Sequence, residues 1–388
     1  MDLTRSYSGL KVCDLSQGIA GPHATMLLAQ YGADVVKVEP PGGDWARSLG
    51  ERFGDHCPHS YAFNLGKRSA VLDLKSEEGR RAANRLVASA DVFVESFRPG
   101  VAARLGFSYE DVRRINPTVI YASLSGFGQE GPYSQRGTVD ALIQGFSGMM
   151  VMNQNAEGKP QRQNMTAVDV LAGLYLFSSI GAALAQRERT GEGGYLDISL
   201  MQAAAAFQSA KIMEFQFSGG EQKPLYMPAG YLRTLDGAVS LSTMRRQHYE
   251  ALCVCLDRSD LLTDDRFAEP RTRISNGAVL MEELESVTSQ FSTEVLLEKL
   301  HAAGVFVERV QDYGDWLADP HVRQAGAYGW IDNADAGRLP LVALPGFPVP
   351  NAGSVLSRAP RLGEHTAEVL AELGLQADLP SASSQAVA

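Results

Sequence analysis

From Leu10 to Ser123 the chain alternates short apolar runs with stretches whose apolar residues recur at helical spacing. Leu10 to Leu15 reads as a buried strand, Ser16 to Pro22 as a Gly-containing loop, His23 to Gln30 as a helix and Ala33 to Glu39 as a second strand. Together they make a β-α-β unit of about 30 residues. The rhythm repeats: a strand from Ala70 to Leu74, a helix from Glu77 to Ser89, a strand from Asp91 to Glu95, a helix from Tyr109 to Ile115, a strand from Thr118 to Ser123. Such alternation predicts an α/β fold, a parallel sheet with helices on both faces. Ligands of these sheets sit outside the carboxyl ends of the strands, which directs attention to loops 16 to 22, 40 to 47, 96 to 104 and 125 to 137.

The pattern changes at Gln161. A polar lead-in precedes Ala167 to Ala185, where every residue except Asp169 is apolar, small or hydroxylated. A basic patch, a Gly-rich turn and a strand-like alternation to Met201 follow. The apolar run has about the length of a bilayer span. Its Gly, Ala and Ser content and the strand-like segment after it instead fit the buried central helix of a large soluble domain, which places its start in the interior. Beyond it, Gln202 to Phe215 predicts a helix, 218 to 224 a linker, and Gly230 to Leu241 a hairpin with an Asp-Gly turn. Helical patterns follow at 247 to 256, 277 to 289 and 293 to 303. The expected organisation is a large domain over 1–215, a smaller α+β domain over 225–325, a return segment over 326–375 and a flexible Ser/Ala-rich tail over 376–388.

At 388 residues the chain exceeds one ordinary hydrophobic core, in keeping with that division. A formal net charge of −10 and a pI near 5.3, with no basic run longer than pairs such as Arg113-Arg114, argue against nucleic acid and anionic membranes as partners. The first residues lack the charged and apolar regions of a signal peptide, so cytoplasm is expected. The four cysteines form no CxxC pair and are expected reduced. Cys253 and Cys255 alternate in a helix as packing residues, and His56-Cys57-Pro58-His59 does not supply four metal ligands. A dinucleotide site is suggested by Gly18-Ile19-Ala20-Gly21 with Glu39 as the ribose acid, but the full glycine fingerprint is missing there. It occurs at Gly126 to Gly131, where Pro132 follows and no helix opens.

A carboxylate in the first turn of a buried helix has two readings. Asp169 can cap the helix by accepting backbone N–H bonds. Alternatively it is a nucleophile, held ionised by the helix dipole against a reference pKa of roughly 3.9 and stripped of water by apolar surroundings. Position alone leaves both open.

Asp169, the segment Arg187 to Gly193 and the following Leu196-Asp197-Ile198-Ser199-Leu200 resemble the central signature of the class III coenzyme A transferases, a family that includes formyl-CoA and carnitinyl-CoA transferases and the alpha-methylacyl-CoA racemases. The resemblance runs from Leu10 to Leu375. It implies a Rossmann-like parallel sheet in the large domain, a smaller α+β domain, and two ring-like subunits interlocked as a homodimer. It implies Asp169 as the catalytic nucleophile, and CoA held by stretches containing Ile19, Ala20, Leu72, Lys75, Ser96, Phe97, Arg98, Arg104, Val139 and Asp140. The CoA thioester is then a substrate, an acyl-CoA reacting with a carboxylic acid, and no metal or redox cofactor is required.

The departures are informative. Pro40 stands where the formyl-CoA enzyme has an arginine, so one phosphate contact is lost or moved to Arg47 or Lys37, and Gln17 replaces a histidine. Val139 occupies the place of the racemase histidine and cannot carry a proton, which favours transfer over racemisation. Asp140 is a polar contact for the pantetheine end or a cap. Arg162, Gln163, Arg233 and Arg245 are candidate partners for a second carboxylate. The habits of the family point to a short dicarboxylic acid such as succinate.

Overall fold

The computed structural model describes residues 2–155, 157–221 and 223–375; the tail expected over 376–388 lies outside the described residues. The chain divides into two compact units, one of Met1–Ala210 with Gly326–Ala388 and one of Lys211–Ala325.

The first unit is built on six parallel strands: β1 (Lys11–Asp14), β2 (Asp34–Glu39), β3 (Arg68–Val71), β4 (Val92–Glu95), β5 (Ile120–Ser125) and β6 (Gly194–Ser199). Their spatial order is β3-β2-β1-β4-β5-β6. The chain therefore winds outward from β1 to β3, returns to the centre, and winds outward the other way from β4 to β6. Val12 faces both Val35 on β2 and Val92 on β4. Sheets covered on both faces need strands that are apolar almost throughout, and β4 (Val92-Phe93-Val94-Glu95) is buried at every position.

Alternation along the strands feeds two cores. On one face Val12, Val35, Val92, Val94, Ile120 and Ala122 pack against the first helix (Ala20–Gln30) and the central helix (Ala167–Thr190). On the other, Cys13, Val36, Phe93 and Tyr121 pack against the helices Glu77–Ser89 and Tyr109–Ile115. The first helix begins at Ala20, three residues before the position expected from sequence, because Pro22 falls in its first turn, where a missing N–H costs nothing. The predicted helix 202 to 215 is two helices, Leu200–Phe207 and Ser209–Phe217.

The central helix corrects a second expectation. It is long and apolar enough to span a bilayer, yet it is not enclosed all round. Val168, Ala172, Leu176 and Ile180, spaced by four, form its buried stripe, while Leu174 and Tyr175 on the outer side are 43% and 42% exposed. Gly173 lets the helix approach closely: a Cβ there would stand 2.7 Å from the Ala20 carbonyl and from Nδ1 of His23.

The edge strand β3 is covered by the segment after Pro360. Gly363 N donates to Ser69 Oγ, His365 N to the Ser69 carbonyl, and Val71 N to Thr366 Oγ1, which removes an open sheet edge.

The second unit carries an antiparallel sheet of β7 (Ala229–Arg233), β8 (Ala238–Ser242) and β9 (Phe306–Arg309). Helices Arg246–Cys255, Gly277–Thr288 and Thr293–Ala302 share its core, where Leu232, Val239, Leu252, Leu284 and Leu296 are fully buried together with Cys253. The expected Asp-Gly turn is a longer loop, with Asp236 accepting from the backbone N–H and the hydroxyl of Thr293, both at 2.7 Å.

Beneath the carboxyl ends of β1 and β2 lies a buried ionic network. Asp14 accepts from Lys67 at 3.1 Å, from Thr25 at 2.6 Å and from the backbone N–H of Ser16 at 2.9 Å. Lys37 pairs with Asp44 at 2.8 Å and donates to the Ser16 carbonyl, and Arg47 grips Glu39 through two 2.7 Å bonds. Three carboxylates meet three basic side chains, of which Lys67 has its pKa pulled down to about 7 by its burial. Removing one member of a buried pair strands its partner, at a cost of about 3–5 kcal/mol. Asp14→Asn, which leaves Lys67 without its counter-charge, is expected to lower stability by that amount, read as a shift in the urea midpoint.

Candidate active site

Adjacent strands β1 and β4 send their chains to opposite sides of the sheet, so the loops leaving their carboxyl ends diverge and open a crevice. The loops are stitched at the base: Gln17 N donates to Ser96 Oγ at 2.8 Å, and that hydroxyl donates to the Gln17 carbonyl at 3.1 Å. Above the stitch lies a cleft of about 590 Å³, of ordinary size for a small-molecule site.

The first wall is loop 17–21, fixed from below by Asp44. Both oxygens of that carboxylate accept from Gly18 N, at 3.0 and 3.2 Å. Gly18 adopts φ +84°, and a Cβ on it would stand 2.4 Å from the ring of Trp45, which leans over the loop. The second wall runs from Ser96 to Arg104, and the third comes from loop 125–139. Gly137 lets these two walls touch, since a Cβ there would meet the Arg98 guanidinium at 2.3 Å.

Asp169 borders the cleft from the first turn of the central helix. The cap of that helix is a different residue. Thr166, at the N-cap position, gives no side-chain bond, and Asp140, which lies 28 residues before the Val168 N–H that it accepts, takes its place. Its Oδ2 accepts from Val168 N at 2.6 Å and Asp169 N at 3.1 Å, while its Oδ1 accepts from Gln144 Nε2 at 2.6 Å. The Asp169 carboxylate accepts no hydrogen bond from any described residue. Burial, with the negative charge of Asp140 added, pushes its pKa up to about 7. From sequence the helix dipole is expected to keep this carboxylate ionised near pH 7; here the N–H groups at the helix start already carry the Asp140 carboxylate, which offsets the positive end of the dipole.

Of the residues assigned from sequence to catalysis and CoA binding, Ile19, Ala20, Ser96, Phe97, Arg98, Arg104, Val139 and Asp169 all line this one cleft. Three do not. Leu72 is 1% exposed inside the core, and Lys75 is exposed in the turn before the next helix, its N–H on Asp73. Asp140 is buried beneath the wall with both oxygens engaged. Arg47 and Lys37, offered as substitutes for the cation missing at Pro40, are locked in the buried ionic network. Glu39 accepts from Arg47, Ser69 and Asp44 N, and so is unavailable to a ribose. Arg162 and Gln163 are absent from the cleft lining, and within the second unit Arg233 pairs with Glu285 at 3.1 Å.

Trp45 and Arg136 were missed. Both lie in loops marked as ligand-side, and a search for cations and aromatics within those loops would have found them. Arg136 rests over the Tyr133 ring, 3.5 Å from its centroid. With Arg98 and Arg104 it gives the cleft three guanidinium groups, none paired with a carboxylate among the described residues.

The family model for CoA-transferase family III matches residues 7–366. The chain belongs to CoA-transferase family III. It is similar to a succinate–glutarate CoA-transferase of Agrobacterium fabrum, 33% identical over 380 residues that cover 94% of this chain and 95% of the relative. An acetyl-CoA:oxalate CoA-transferase of Acetobacter aceti is 36% identical over 317 residues, covering 80% and 82%. Among solved structures, a CaiB/BaiF family protein from Brucella suis superposes with a TM-score of 0.83 at 34% identity, over 95% of this chain and 99% of that one.

Two substitutions test the geometry of this family III site. Asp140→Asn keeps an acceptor for the helix N–H groups but removes the neighbouring charge. The Asp169 carboxyl is then expected to titrate lower, toward the ordinary carboxylate range, as followed by carbon NMR of labelled aspartate. Gly173→Ala, one turn from Asp169, is expected to cost about 1–3 kcal/mol by forcing the central helix off the first helix, measured as thermal destabilisation.

Proposed function

We propose that this chain transfers coenzyme A between two carboxylic acids, with Asp169 as the nucleophile. The observation that carries the reading is an unbonded carboxylate facing a cleft that holds three arginines without acidic partners. The guanidinium groups of Arg98, Arg104 and Arg136 suit the phosphates of CoA, where each charge-assisted contact contributes about 1.5–3 kcal/mol.

In the reaction, an oxygen of Asp169 attacks the thioester carbonyl of the donor acyl-CoA and the C–S bond breaks. This gives a mixed anhydride and CoA thiolate. The thiolate attacks the aspartyl carbonyl, forming an aspartyl-CoA thioester and releasing the donor carboxylate. The acceptor carboxylate then attacks that thioester and expels the thiolate. The thiolate in turn takes the acyl group from the new anhydride and restores Asp169. Charge is conserved at every step, and no external acid or base enters. Val139, half exposed on the wall, offers no group to move an alpha proton, which supports transfer over racemisation.

The names of the relatives support succinate or another short dicarboxylic acid as one partner. We propose that the active form is a homodimer. In the first unit Leu142, Phe146, Met165, Leu174, Tyr175 and Phe207 are large, apolar and more than two-fifths exposed, and open apolar surface of this kind supports that reading. Light scattering is expected to give twice the mass of one chain.

Incubation with succinyl-CoA and hydroxylamine is expected to leave a hydroxamate on the peptide that holds Asp169, absent in Asp169→Asn, whose turnover falls at least about a thousandfold. An unmodified peptide with several donors would refute the reading. Because attack requires the ionised carboxylate, kcat/KM for the acyl-CoA is expected to rise with pH through about 7 and level off above it. Arg98→Ala is expected to raise KM for the acyl-CoA by roughly 10–100-fold.

A further inference from the structure

Four carboxyl groups at the carboxyl ends of the central strands are almost wholly buried: Asp14, Glu39, Asp44 and Glu95. The first three have a lysine or arginine against them. Glu95, 4% exposed, has none among the described residues, and the charged group acting on it is another carboxylate, Asp197. Burying an uncompensated carboxyl costs several kcal/mol, so what Glu95 holds is worth following. Its Oε2 accepts from Phe97 N at 2.8 Å. Its Oε1 accepts from the hydroxyl of Ser123, its cross-strand neighbour on β5. Ser123 Oγ in turn accepts from Gln129 Nε2 at 2.8 Å, and the Gln129 backbone N–H donates to Asp197 at 3.2 Å. Phe97 opens the wall that carries Arg98 and Arg104. Gln129 lies behind the lining, in the same loop 125–139 that carries Arg136.

We propose that Glu95 is a positioning residue that ties these two walls together and so sets the spacing of the arginines that receive CoA, an inference that rests on the CoA-transferase reading. The hydrogen-bond directions fit this role without conflict. An ionised Glu95 takes one proton from Phe97 N and one from Ser123, which leaves the Ser123 oxygen free for Gln129. The crossing between the two segments is the Glu95–Ser123 bond, and neither of those residues lines the cleft. Burial pushes Glu95 up to about 7, so the tie is made by a group with little excess stability in its charged form.

The test is binding set against chemistry. Free CoA affinity is measured by calorimetry, and the rate of aspartyl hydroxamate formation is measured at saturating acyl-CoA. Glu95→Ala and Gln129→Ala are each expected to weaken CoA binding on the order of tenfold while the saturated rate changes less than about threefold. Because both cut one chain, the double variant is expected to bind CoA no worse than the weaker single variant. Glu95→Gln, which retains an acceptor oxygen, is expected to recover part of the loss. If Glu95→Ala does not fold, Gln129→Ala and Ser123→Ala carry the same comparison. Unchanged CoA affinity in the folded variants, or losses that add in the double variant, would overturn the inference. If the unaltered enzyme itself fails to bind CoA, the transferase reading falls first and this one with it.

Discussion

The structure turns on the reversal of winding between β1 and β4. Two parallel neighbours whose chains depart to opposite faces cannot close the gap above their carboxyl ends, and the backbone there must either be hydrated or be held. Here it is held. Ser96 and Gln17 join the loops at the bottom of the gap, Asp44 grips one loop from below, and the central helix delivers Asp169 to the opening. Fold and site are consequences of one topological constraint, which is why residues far apart in sequence converge on a single cleft.

Buried charge is used in two opposite ways around that cleft. Below loop 17–21 the charges come in compensated pairs, and the result is stiffness: each carboxylate has several donors and each cation is enclosed. At Asp169 the compensation is withheld. Its N–H is given to Asp140, its oxygens accept from no described residue, and burial and the Asp140 charge both act against its ionised form. Desolvation without a partner is costly to stability, but it leaves a carboxylate whose lone pairs are not already committed.

Much of this was legible in the sequence because period and punctuation agree there. Glu77 to Ser89 is capped by Ser76 and buries Ala82, Ala83, Leu86 and Val87 at helical spacing, so local and tertiary preferences give one answer. Strand ends shifted by two or three residues where apolar runs extend past the hydrogen-bonded register, as at Ala70 to Leu74 against β3 at Arg68–Val71. The site was partly legible: residues on ligand-side loops found the cleft, whereas Leu72 and Lys75, adjacent to such a loop, did not. Asp140 was the hardest to read. Its role depends on a contact with the backbone of another helix, and no spacing rule connects position 140 to position 168. Arg47 and Lys37 illustrate the converse, since a cation beside a ligand loop looks the same in sequence whether it faces a phosphate or a buried glutamate.

The three unpaired arginines sit on a molecule whose formal net charge is −10. The far field and the near field of the cleft therefore have opposite signs. At low ionic strength a polyanion is repelled at a distance and attracted only once it is over the opening; at physiological ionic strength, where the Debye length is roughly 8 Å, the distant repulsion is largely screened. Added salt weakens both, so association is fastest at an intermediate ionic strength rather than at the lowest, and anions that miss the opening are turned away by the rest of the surface.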